Sequence, residues 1–509
     1  MLATVLSSAL QGIDALLVEV EVDIAGGLPQ MAVVGLPEGA VKESKDRVRS
    51  ALKNCGYEFP QRKITINLAP ADIKKEGSAY DLPIAMGLLA AAGKLPAEQL
   101  RNYVLLGELS LDGRVKAVRG TLPTAAAVSE KRLRGVLVPP ENALEAAVVD
   151  GIEVIAVNTL AEAFEFLRGE RQIAPTRLDL AEVFAAHARY ELDFSDVKGQ
   201  EHVKRALEVA AAGGHNVIMV GPPGSGKTML AQRLPTILPA LTLPEAIETT
   251  RVHSVMGLMD GRALVATRPF RSPHHTISDA GLIGGGTIPK PGEVSLAHHG
   301  VLFLDELPEF RKNVLEVLRQ PLEETRITIS RAVGSITYPA SVMLVAAMNP
   351  CPCGFYGDAL KECSCNLPQI QRYRARISGP LLDRIDIQIE VPAVKYKELS
   401  DRALGEPSQA IRTRVDRARQ LQLARFQGRR IYCNAQMASR DLRRVCVLDP
   451  VAERLLETAM ARLNLSARAY TRILKVARTI ADLDGAPATI SQSHVSEAIQ
   501  YRSLDRAFH

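Results

Sequence analysis

The sequence has little net charge, no long apolar run and few cysteines, and each shortage excludes a class of protein. Its 509 residues include 62 Lys and Arg against 57 Asp and Glu, a net charge of +5. A nucleic-acid partner would therefore have to bind local basic patches, because the chain as a whole has no strong positive field. The seven cysteines, four of them in one short stretch, favour reduced thiols or a metal site over a secreted disulfide framework.

The apolar segments do not indicate a membrane or secreted protein. Runs such as LPIAMGLLAAAG stop well short of the ~20 residues that a membrane span needs. The first residues, MLATVLSSAL, contain no basic region and are soon followed by Asp14, which is not the pattern of a signal peptide. We therefore expect a cytoplasmic protein with no membrane partner.

Changes in pattern along the chain predict three domains joined by a linker. Residues 1–168 alternate strand-like runs with apolar-periodic helices, and the polar stretch 169–189 (with GERQIAPTRLDL) is typical of a linker. Residues 190–392 contain short, wholly apolar strands, which predict an α/β domain with a mostly parallel sheet covered on both faces. Residues 393–509 have almost no strand signal and are predicted to be a small helical domain.

A phosphate-binding loop lies between the strand NVIMV and a helix that begins near Met229. The sequence GPPGSGKT has the full G-x-x-x-x-G-K-T pattern in the strand–loop–helix setting that the pattern requires. Its glycines let successive backbone N–H groups point into one concavity, and the helix N-terminus adds positive potential. The predicted nucleotide-binding residues are Gly221, Pro222, Pro223, Gly224, Ser225, Gly226, Lys227 and Thr228, with Lys227 reaching the β- and γ-phosphates and Thr228 ligating Mg²⁺.

Two further apolar strands deliver polar side chains to the same predicted edge. GVLFLDE ends in Asp305, which would hold Mg²⁺ through water, and Glu306, which would orient and deprotonate the attacking water. VMLVAAMN ends in Asn349, which suits positioning of that water or of the γ-phosphate. The alternative for Asn349 is a cap of the turn before Pro350.

The order of these motifs resembles the AAA+ ATPases. GPPGSGKT, VLFLDE, AAMNP and GPLLDRID follow one another as in that class, and SPHHTISDAGLIGGG, PGEVSLAHHGVLFLDELPEF and SARAYTRILKVARTIADL look like its magnesium-chelatase-like branch of the YifB type. The resemblance covers nearly the whole chain. It implies an AAA+ P-loop core with a C-terminal helical lid, ATP and Mg²⁺ as cofactors, a homo-hexameric ring, and DNA as the partner.

The resemblance also assigns roles around the nucleotide. Asn349 falls at the sensor-1 position, and Arg468 matches the sensor-2 arginine at the head of a lid helix. Arg472, one helical turn later, competes for the lid role. DFSDVKGQ is similar to the segment that lies along the adenine, which makes Val197 and Gln200 binding candidates.

Arg384 in GPLLDRID occupies the place of the arginine finger, which completes the ATP site of the neighbouring subunit. An arginine acting on a neighbour explains why such proteins form rings, because it supplies positive charge where negative charge sits during phosphoryl transfer. The alternative is that Arg384 pairs with Asp383 or Asp386.

The first domain resembles the proteolytic domain of Lon, an α+β fold of the ribosomal S5-like kind. Ala79 stands at the serine position and Leu122 at the lysine position, and neither can act as nucleophile or base. Ser78 lies one residue away, which puts it on the wrong face, although Lys74 or Lys75 could replace the lysine. We therefore expect a catalytically degenerate domain that serves ring formation or nucleic-acid contact.

Four clustered cysteines and two pairs of histidines raise the question of a further metal. The cysteines have the spacing C-x-C-x9-C-x-C and are Cys351, Cys353, Cys363 and Cys365. Four thiolates suit tetrahedral Zn²⁺, although the usual spacing is C-x2–4-C, and reduced thiols or a labile disulfide are the alternatives. The pairs His274–His275 and His298–His299 lack an i,i+4 spacing and are predicted to lie in loops.

Two basic features are candidates for contact with a nucleic acid. The segment 324–340 predicts a strand–turn–strand hairpin, and in related ring helicases such a hairpin projects into the pore, so Arg331 near its tip is the predicted phosphate contact. A solvated arginine is the alternative. The segment 411–430 contains seven arginines, which could follow a phosphate backbone or be a solvated face that makes salt bridges between subunits.

The resemblance implies a DNA-dependent ATPase of the helicase or translocase type, which promotes branch migration or unwinding when incoming DNA recombines in natural transformation. One alternative is a chelatase-type ATPase that remodels a protein partner, although the chain has no acidic metal-coordinating domain of the von Willebrand kind. The other is an ATP-dependent protease similar to Lon, which the residues at positions 79 and 122 speak against.

Overall fold

The computed structural model describes residues 1–187, 190–286, 289–331, 334–358, 361–393, 405–429, 431–463 and 465–502. They belong to two compact units, each discontinuous in sequence. The first contains Met1–Ala188 and Thr242–Ala266, and the second contains Arg189–Leu241 and Thr267–His509. No helix among these described residues combines the length and the apolar content that a bilayer crossing requires.

The secondary structure alternates strands and helices up to residue 390 and is helical thereafter in the described ranges. The strands are β1 (Leu2–Gln11), β2 (Asp14–Ala25), β3 (Gln30–Val34), β4 (Lys63–Ala69), β5 (Tyr103–Leu105), β6 (Glu108–Leu109), β7 (Val115–Lys116), β8 (Gly135–Val138), β9 (Glu153–Ala156), β10 (Val217–Val220), β11 (Phe270–Arg271), β12 (Gly284–Gly285), β13 (Lys290–Pro291), β14 (Val301–Leu304), β15 (Arg326–Arg331), β16 (Gly334–Pro339), β17 (Met343–Met348) and β18 (Ile387–Glu390). The helices are α1 (Gly39–Asn54), α2 (Asp81–Ala91), α3 (Ala97–Leu100), α4 (Thr121–Glu130), α5 (Pro140–Ala146), α6 (Leu160–Arg168), α7 (Leu180–His187), α8 (Glu201–Gly213), α9 (Lys227–Ile237), α10 (Leu243–Met256), α11 (Asp279–Ile283), α12 (Glu293–Leu296), α13 (Lys312–Glu316), α14 (Arg319–Glu324), α15 (Leu367–Arg374), α16 (Gly379–Leu382), α17 (Ser408–Arg425), α18 (Ser439–Val445), α19 (Pro450–Leu463), α20 (Ala467–Leu483) and α21 (Gln492–Gln500).

The first unit is built on a seven-stranded mixed sheet in the order β3-β4-β2-β1-β5-β8-β9. In β2, valines alternate with acids, and the valines at 18, 20 and 22 are fully buried. This period of two puts one face of the strand in the core and leaves the other to polar contacts. The helix α2 is buried on all sides, because its sequence is almost wholly apolar. The predicted α+β character of this part of the chain is confirmed.

The segment Thr242–Ala266 belongs to the first unit, although the sequence prediction placed it in the ATPase domain at 190–392. The reason is a buried carboxylate: Glu145 is 2% exposed and accepts hydrogen bonds from the Leu122 amide at 2.9 Å and from the Ser254 hydroxyl of α10 at 2.5 Å. The Gly120 amide in turn donates to the carbonyl of Ser254 at 3.2 Å. An unpaired buried acid is costly, so these donors fix α10 on the first unit.

The second unit is built on a five-stranded sheet in the order β11-β14-β17-β10-β18, in which all paired strands are parallel. Every residue of β10, β14 and β17 is buried. A parallel strand covered on both faces must be apolar throughout, which is why these runs do not alternate. The predicted doubly covered parallel sheet is confirmed.

The helices after β18 share the core of this sheet. The helix α20 begins after Ser466, whose hydroxyl accepts a hydrogen bond from the Ala469 amide at 3.2 Å and so caps the helix. Its buried apolar face, which includes Ile473 and Ile480, lies in the same hydrophobic cluster as Val217 and Met219 of β10. The predicted helical lid is therefore packed against the sheet.

A buried aspartate joins several lid elements. Asp482 of α20 is 1% exposed and accepts hydrogen bonds from Arg425 at 2.5 and 2.8 Å, from Arg478 at 3.0 Å and from Asn434 at 2.8 Å. Two guanidinium groups thus depend on one carboxylate. Removing the carboxylate charge would leave them without a counter-charge in a site that water does not reach.

We predict that Asp482→Asn destabilises the second unit by about 3–5 kcal/mol, because it breaks a buried ion pair from one side. Urea unfolding followed by circular dichroism measures the change. Asp484→Asn is the matched control: its side chain is 50% exposed and pairs with Arg205 at 3.7 Å and His494 at 3.3 Å, so it should change stability by less than about 1 kcal/mol. Equal effects of the two changes would contradict this account of the network.

Candidate active site

The P-loop connects β10 to α9 with a backbone that only glycine adopts readily. Gly224 and Gly226 have φ values of 77° and 86°, in the left-handed region. The Lys227 ammonium lies over the loop and donates to the carbonyls of Gly221 at 2.7 Å and Pro222 at 2.8 Å. Burial lowers the pKa of Lys227, while the charge of Asp305 acts in the opposite direction. The loop therefore presents a partly desolvated cation, which suits an anionic ligand.

Two oxygen groups of the predicted magnesium site are in direct contact. The Thr228 hydroxyl, at the start of α9, donates to the Asp305 carboxylate at 2.7 Å. Asp305 follows β14, the strand two places from β10 in the sheet, so the parallel register brings the two side chains to one edge. A hydroxyl and a carboxylate are hard oxygen ligands of the kind that Mg²⁺ takes alongside nucleotide phosphates. These residues fit the ion.

Asn349 follows β17, the strand between β10 and β14, and reaches the same edge. Its side-chain oxygen lies 3.4 Å from the Lys227 ammonium. The structure thus brings together Lys227, Thr228, Asp305 and Asn349, all of which the sequence analysis singled out. Open α/β sheets bind their ligands at this edge, which is formed by the carboxyl ends of the strands.

Glu306 lies close to His275, a neighbour that was not predicted from the sequence. Its backbone is in the left-handed region at φ 53°, its side chain is 56% exposed, and the Nδ1 atom of His275 lies 3.3 Å from its carboxylate. His275 comes just after β11, the strand next to β14. The signal was available, because parallel neighbouring strands end at one edge, but the sequence analysis treated the histidine pair only as a loop. His275 can orient the carboxylate that would activate water.

The two residues predicted near the adenine have different surroundings. Gln200 donates from its amide to the carbonyls of Ser225 at 3.0 Å and Pro392 at 2.8 Å, which ties the P-loop to the end of β18. Its amide oxygen is buried and has no hydrogen-bond partner among the described residues. Val197 is fully buried and packs in the hydrophobic core. Gln200 therefore offers an acceptor beside the loop, whereas the Val197 side chain shapes the core beneath it.

The arginine predicted to act on a neighbouring subunit is held within its own chain. Arg384 is 8% exposed, donates to the Pro380 carbonyl at 2.5 Å and pairs with the Glu323 carboxylate of α14. The alternative partners that the sequence suggested, Asp383 and Asp386, bind other arginines instead. The Nε atom of Arg384 is buried and has no hydrogen-bond partner among the described residues.

The predicted hairpin is present and carries Arg331 near its tip. The strands β15 and β16 pair in antiparallel register with Arg331 opposite Gly334, and residues 332 and 333 lie outside the described residues. Arg331 is exposed and donates to the Ser330 carbonyl at 3.2 Å. The other end of the strand carries Arg326, which pairs with Glu324 at 3.5 Å.

The arginine-rich segment is used largely inside the second unit. Five of its seven arginines bind acids or carbonyls of that unit, and they are Arg412, Arg414, Arg419, Arg425 and Arg429. Arg430 lies outside the described residues. These contacts lie within one chain, so they correspond to neither of the two alternatives given above, a phosphate contact and salt bridges between subunits.

The four clustered cysteines converge next to the P-loop. All four sulfurs lie within 4.8 Å of one another, and the Sγ–Sγ distances from Cys351 to Cys353 and to Cys363 are 3.3 and 3.7 Å. A disulfide bond is about 2.05 Å long, so these are thiols. Gly354, at φ 88°, packs so closely on Pro223 that an added Cβ would lie 2.7 Å from the proline ring.

Two thiols of the cluster, Cys353 and Cys363, have pKa values shifted in opposite directions by their surroundings. Hydrogen bonding, chiefly from the backbone at Phe355, lowers the pKa of Cys353 to about 5. At Cys363 the backbone amide of Cys365 acts to lower the pKa, but burial and the sulfurs of Cys353 and Cys351 outweigh it and raise the pKa to about 12. Cys353 therefore ionises readily, and its negative charge disfavours ionisation of the neighbouring thiols.

Among the described residues of the first unit, those singled out for a Lon-like reaction are not arranged for peptide hydrolysis. Ala79 has no nucleophilic atom, and Leu122 is fully buried with its amide bound to Glu145. The Ser78 hydroxyl is bound to the Glu108 carboxylate. Lys75 is buried, which lowers its pKa, and its ammonium binds the Pro70 carbonyl, while Lys74 pairs with Glu38 at 3.4 Å. A nucleophile with a free base beside it is the minimum requirement, and these residues do not supply it.

The parallel sheet with a P-loop after β10, an acidic pair after β14 and an asparagine after β17 defines an ATPase of the AAA+ class. Three family descriptions match the chain: "Magnesium chelatase, subunit ChlI" over residues 193–399, "Subunit ChlI of Mg-chelatase" over 20–142, and "Magnesium chelatase, subunit ChlI C-terminal" over 405–502. Together they span most of the chain.

Curated relatives agree with the family descriptions. Competence protein ComM of Haemophilus influenzae is 46% identical over 508 residues, which cover 99% of this chain and 98% of that protein. The protein YifB of Salmonella typhimurium is 45% identical over 507 residues, with the same coverage. Lon protease 2 of Bacillus subtilis is 32% identical over 127 residues, 24% of this chain and 22% of that protein. The chain belongs to the magnesium-chelatase-like AAA+ ATPases of the YifB and ComM type.

We predict that Glu306→Gln keeps ATP binding but lowers turnover by about 10²–10⁴-fold, because the amide cannot accept the proton of the attacking water. Lys227→Ala should lose both binding and turnover. A fluorescent ATP analogue measures binding, and phosphate release measures turnover. The control is Glu309→Gln, three residues from Glu306 and paired with Arg376 at 2.7 Å, which should behave as wild type. Turnover retained by Lys227→Ala would contradict the site.

Proposed function

We propose that this chain is an ATP-hydrolysing ring motor that acts on DNA and promotes branch migration or unwinding when incoming DNA recombines during natural transformation. Its cofactors are ATP and Mg²⁺, and it works in the cytoplasm as a homo-hexamer. The full-length similarity to a relative named as a competence protein supports the biological setting. The proposal that the chain acts on DNA rests on the exposed Arg331 at the end of a hairpin in the ATPase unit.

The chemistry follows from the edge of the five-stranded sheet. Lys227 and the loop amides would bind the phosphates, and Thr228 and Asp305 would hold Mg²⁺, which would neutralise charge on the phosphates. Glu306 takes the proton of the attacking water, and Asn349 positions that water or the γ-phosphate. The contact between Thr228 and Asp305 and the approach of Asn349 to Lys227 support these roles.

The ring is proposed because of Arg384. A guanidinium group in the active site of a neighbouring subunit would stabilise the charge of the transferring phosphoryl group. Arg384 is a buried cation whose Nε atom has no hydrogen-bond partner among the described residues, and such a group gains from a further acceptor. To reach a neighbour, it must leave Glu323 of its own chain.

A second candidate function is a chelatase-type ATPase that remodels a protein partner. The three matches to descriptions of the ChlI subunit of magnesium chelatase favour it. The same ATP site would serve either function, because both require the hydrolysis of ATP. DNA dependence of ATP hydrolysis separates the two.

The four cysteines are proposed to hold a structural Zn²⁺. Four sulfurs at about 2.3 Å from a tetrahedral zinc lie about 3.8 Å apart, and the observed distances of 3.3, 3.5 and 3.7 Å are already close to that value. Backbone amides of Cys353, Cys365 and Tyr356 donate to the sulfurs at 3.3–3.4 Å. These donors stabilise thiolates and so favour a cation.

The DNA-dependent function predicts a specific response of ATP hydrolysis to forked DNA. The wild type should be stimulated by DNA, whereas Arg331→Ala should keep its DNA-free turnover and lose most of the stimulation. Losing one phosphate contact should also reduce the salt dependence of DNA binding by about one unit of slope. The matched control is Arg326→Ala, at the opposite end of β15.

Two results would contradict this proposal. A wild type whose hydrolysis ignores DNA, and which does not move a branched substrate, would remove the DNA motor and favour the remodelling function. Equal loss of stimulation in Arg326→Ala and Arg331→Ala would contradict the assignment of the contact to Arg331.

Zinc binding predicts a metal content of roughly one zinc per chain in the purified protein, measured by mass spectrometry of the metal. The double variant Cys363→Ser with Cys365→Ser should lose the zinc and bind ATP more weakly, because Gly354 of the loop packs on Pro223. Cys433→Ser, a buried cysteine outside the cluster, is the control and should keep the zinc. A wild type without zinc, grown with zinc supplied, would refute the site.

A further inference from the structure

The two arginines that compete for the lid role lie one turn apart on α20, and each binds a different aspartate. Arg468 donates to Asp383 at 2.7 Å, and Arg472 donates to Asp386 at 2.6 Å. Both aspartates lie in the segment just after α16, on either side of Arg384. The N–O distances of the two ion pairs are almost equal, so the difference in strength between the pairs comes from their surroundings.

The pair of Arg472 and Asp386 is buried and has further support. The Asp386 side chain is 1% exposed, and its second oxygen lies 3.2 Å from His215 Nδ1 and accepts from the Asn216 amide at 3.4 Å. Burial alone would raise the pKa of Asp386, but the charge of Arg472 and the hydrogen bond of His215 outweigh it and hold the pKa well below its usual value. Moving Arg472 away would leave a buried carboxylate without its main counter-charge. Arg472 is therefore committed to this pair.

The pair of Arg468 and Asp383 faces solvent. The Arg468 side chain is 67% exposed and that of Asp383 is 30% exposed. Ion pairs in water are weak and are screened by salt. A triphosphate carries several negative charges and accepts two parallel hydrogen bonds from a guanidinium group, so it competes well against one exposed carboxylate. Arg468 can therefore change partner at little cost.

We propose that Asp383 is a positioning residue that holds Arg468 until a bound nucleotide competes for it, while Arg472 stays on Asp386 and fixes the lid helix. The inference rests on the proposed ATP site. It also decides between the two lid candidates: Arg468 is the arginine that responds to nucleotide, and Arg472 is part of the fold.

The test is the affinity of the full chain for a fluorescent, non-hydrolysable ATP analogue in four proteins: wild type, Asp383→Asn, Arg468→Ala, and the two changes together. Asp383→Asn removes the competing charge and should tighten binding by about twofold to fivefold, the scale of an exposed ion pair. In the Arg468→Ala background the same change should have no effect, because the arginine that Asp383 restrains is gone.

Two controls separate positioning from folding. Glu309→Gln breaks another exposed pair of the same unit, with Arg376 at 2.7 Å and side-chain exposures of 53% and 42%, and should leave the affinity unchanged. Arg472→Ala should instead lower the melting temperature, whereas Asp383→Asn should keep it at the wild-type value.

The proposal is overturned if Asp383→Asn leaves the affinity unchanged, weakens it, or changes it equally with and without Arg468. Its failure is distinct from failure of the ATP site itself. Loss of binding in Lys227→Ala supports that site whatever Asp383 does, and wild-type binding by Lys227→Ala would refute the site directly.

Discussion

The hydrogen bond from Thr228, in the first turn of α9 after the P-loop, to Asp305, at the end of β14, joins the P-loop helix to the neighbouring part of the sheet, and the geometry of the candidate site depends on that contact. The strands β10, β14 and β17 are buried along their whole length, and the residues directly after β14 and β17 are Asp305 and Asn349, whereas β10 is followed by the P-loop that leads to Thr228. The hydrophobic core therefore fixes where the acid, the hydroxyl and the amide meet. Open α/β sheets bind their ligands at this edge, and here the P-loop and α9 complete it.

Burial divides the arginines of the second unit into two groups with different functions. Arg425 and Arg472 bind carboxylates that solvent does not reach, and removing either partner is expensive, so these pairs are permanent. Arg468 and Arg331 are exposed, and their interactions cost little to exchange for a phosphate. Counting arginines in the sequence hides this difference. For these four arginines, burial of the partner group decides how easily the interaction is exchanged, and Arg384, which is buried but paired with the exposed Glu323, lies between the two groups.

The phosphate site could be predicted from sequence because its determinants are local. A strand, a glycine loop and Lys227 follow one another in the chain. Asp305 directly follows a wholly apolar strand, and such a strand indicates a sheet that is buried on both faces. Glu323 could not be predicted in the same way, since only the tertiary structure brings it to Arg384, whereas His275 follows the strand next to β14, a signal that the sequence analysis did not use. The sequence analysis did not predict that α10 belongs to the first unit for the same reason, because nothing near Ser254 in the sequence indicates its contact with the buried Glu145.

The cysteine cluster lies beside the candidate ATP site and contributes no group to the proposed reaction. Cys351 comes two residues after Asn349, and Gly354 touches Pro223, so the loop is held against both the P-loop and the residue at the third strand end. Four sulfur ligands would fill a tetrahedral zinc and leave no open position for water or substrate, so such an ion does no chemistry. Its effect would be geometric, because it would remove conformational freedom from the loop. That effect would reach the P-loop through the close packing of Gly354 on Pro223.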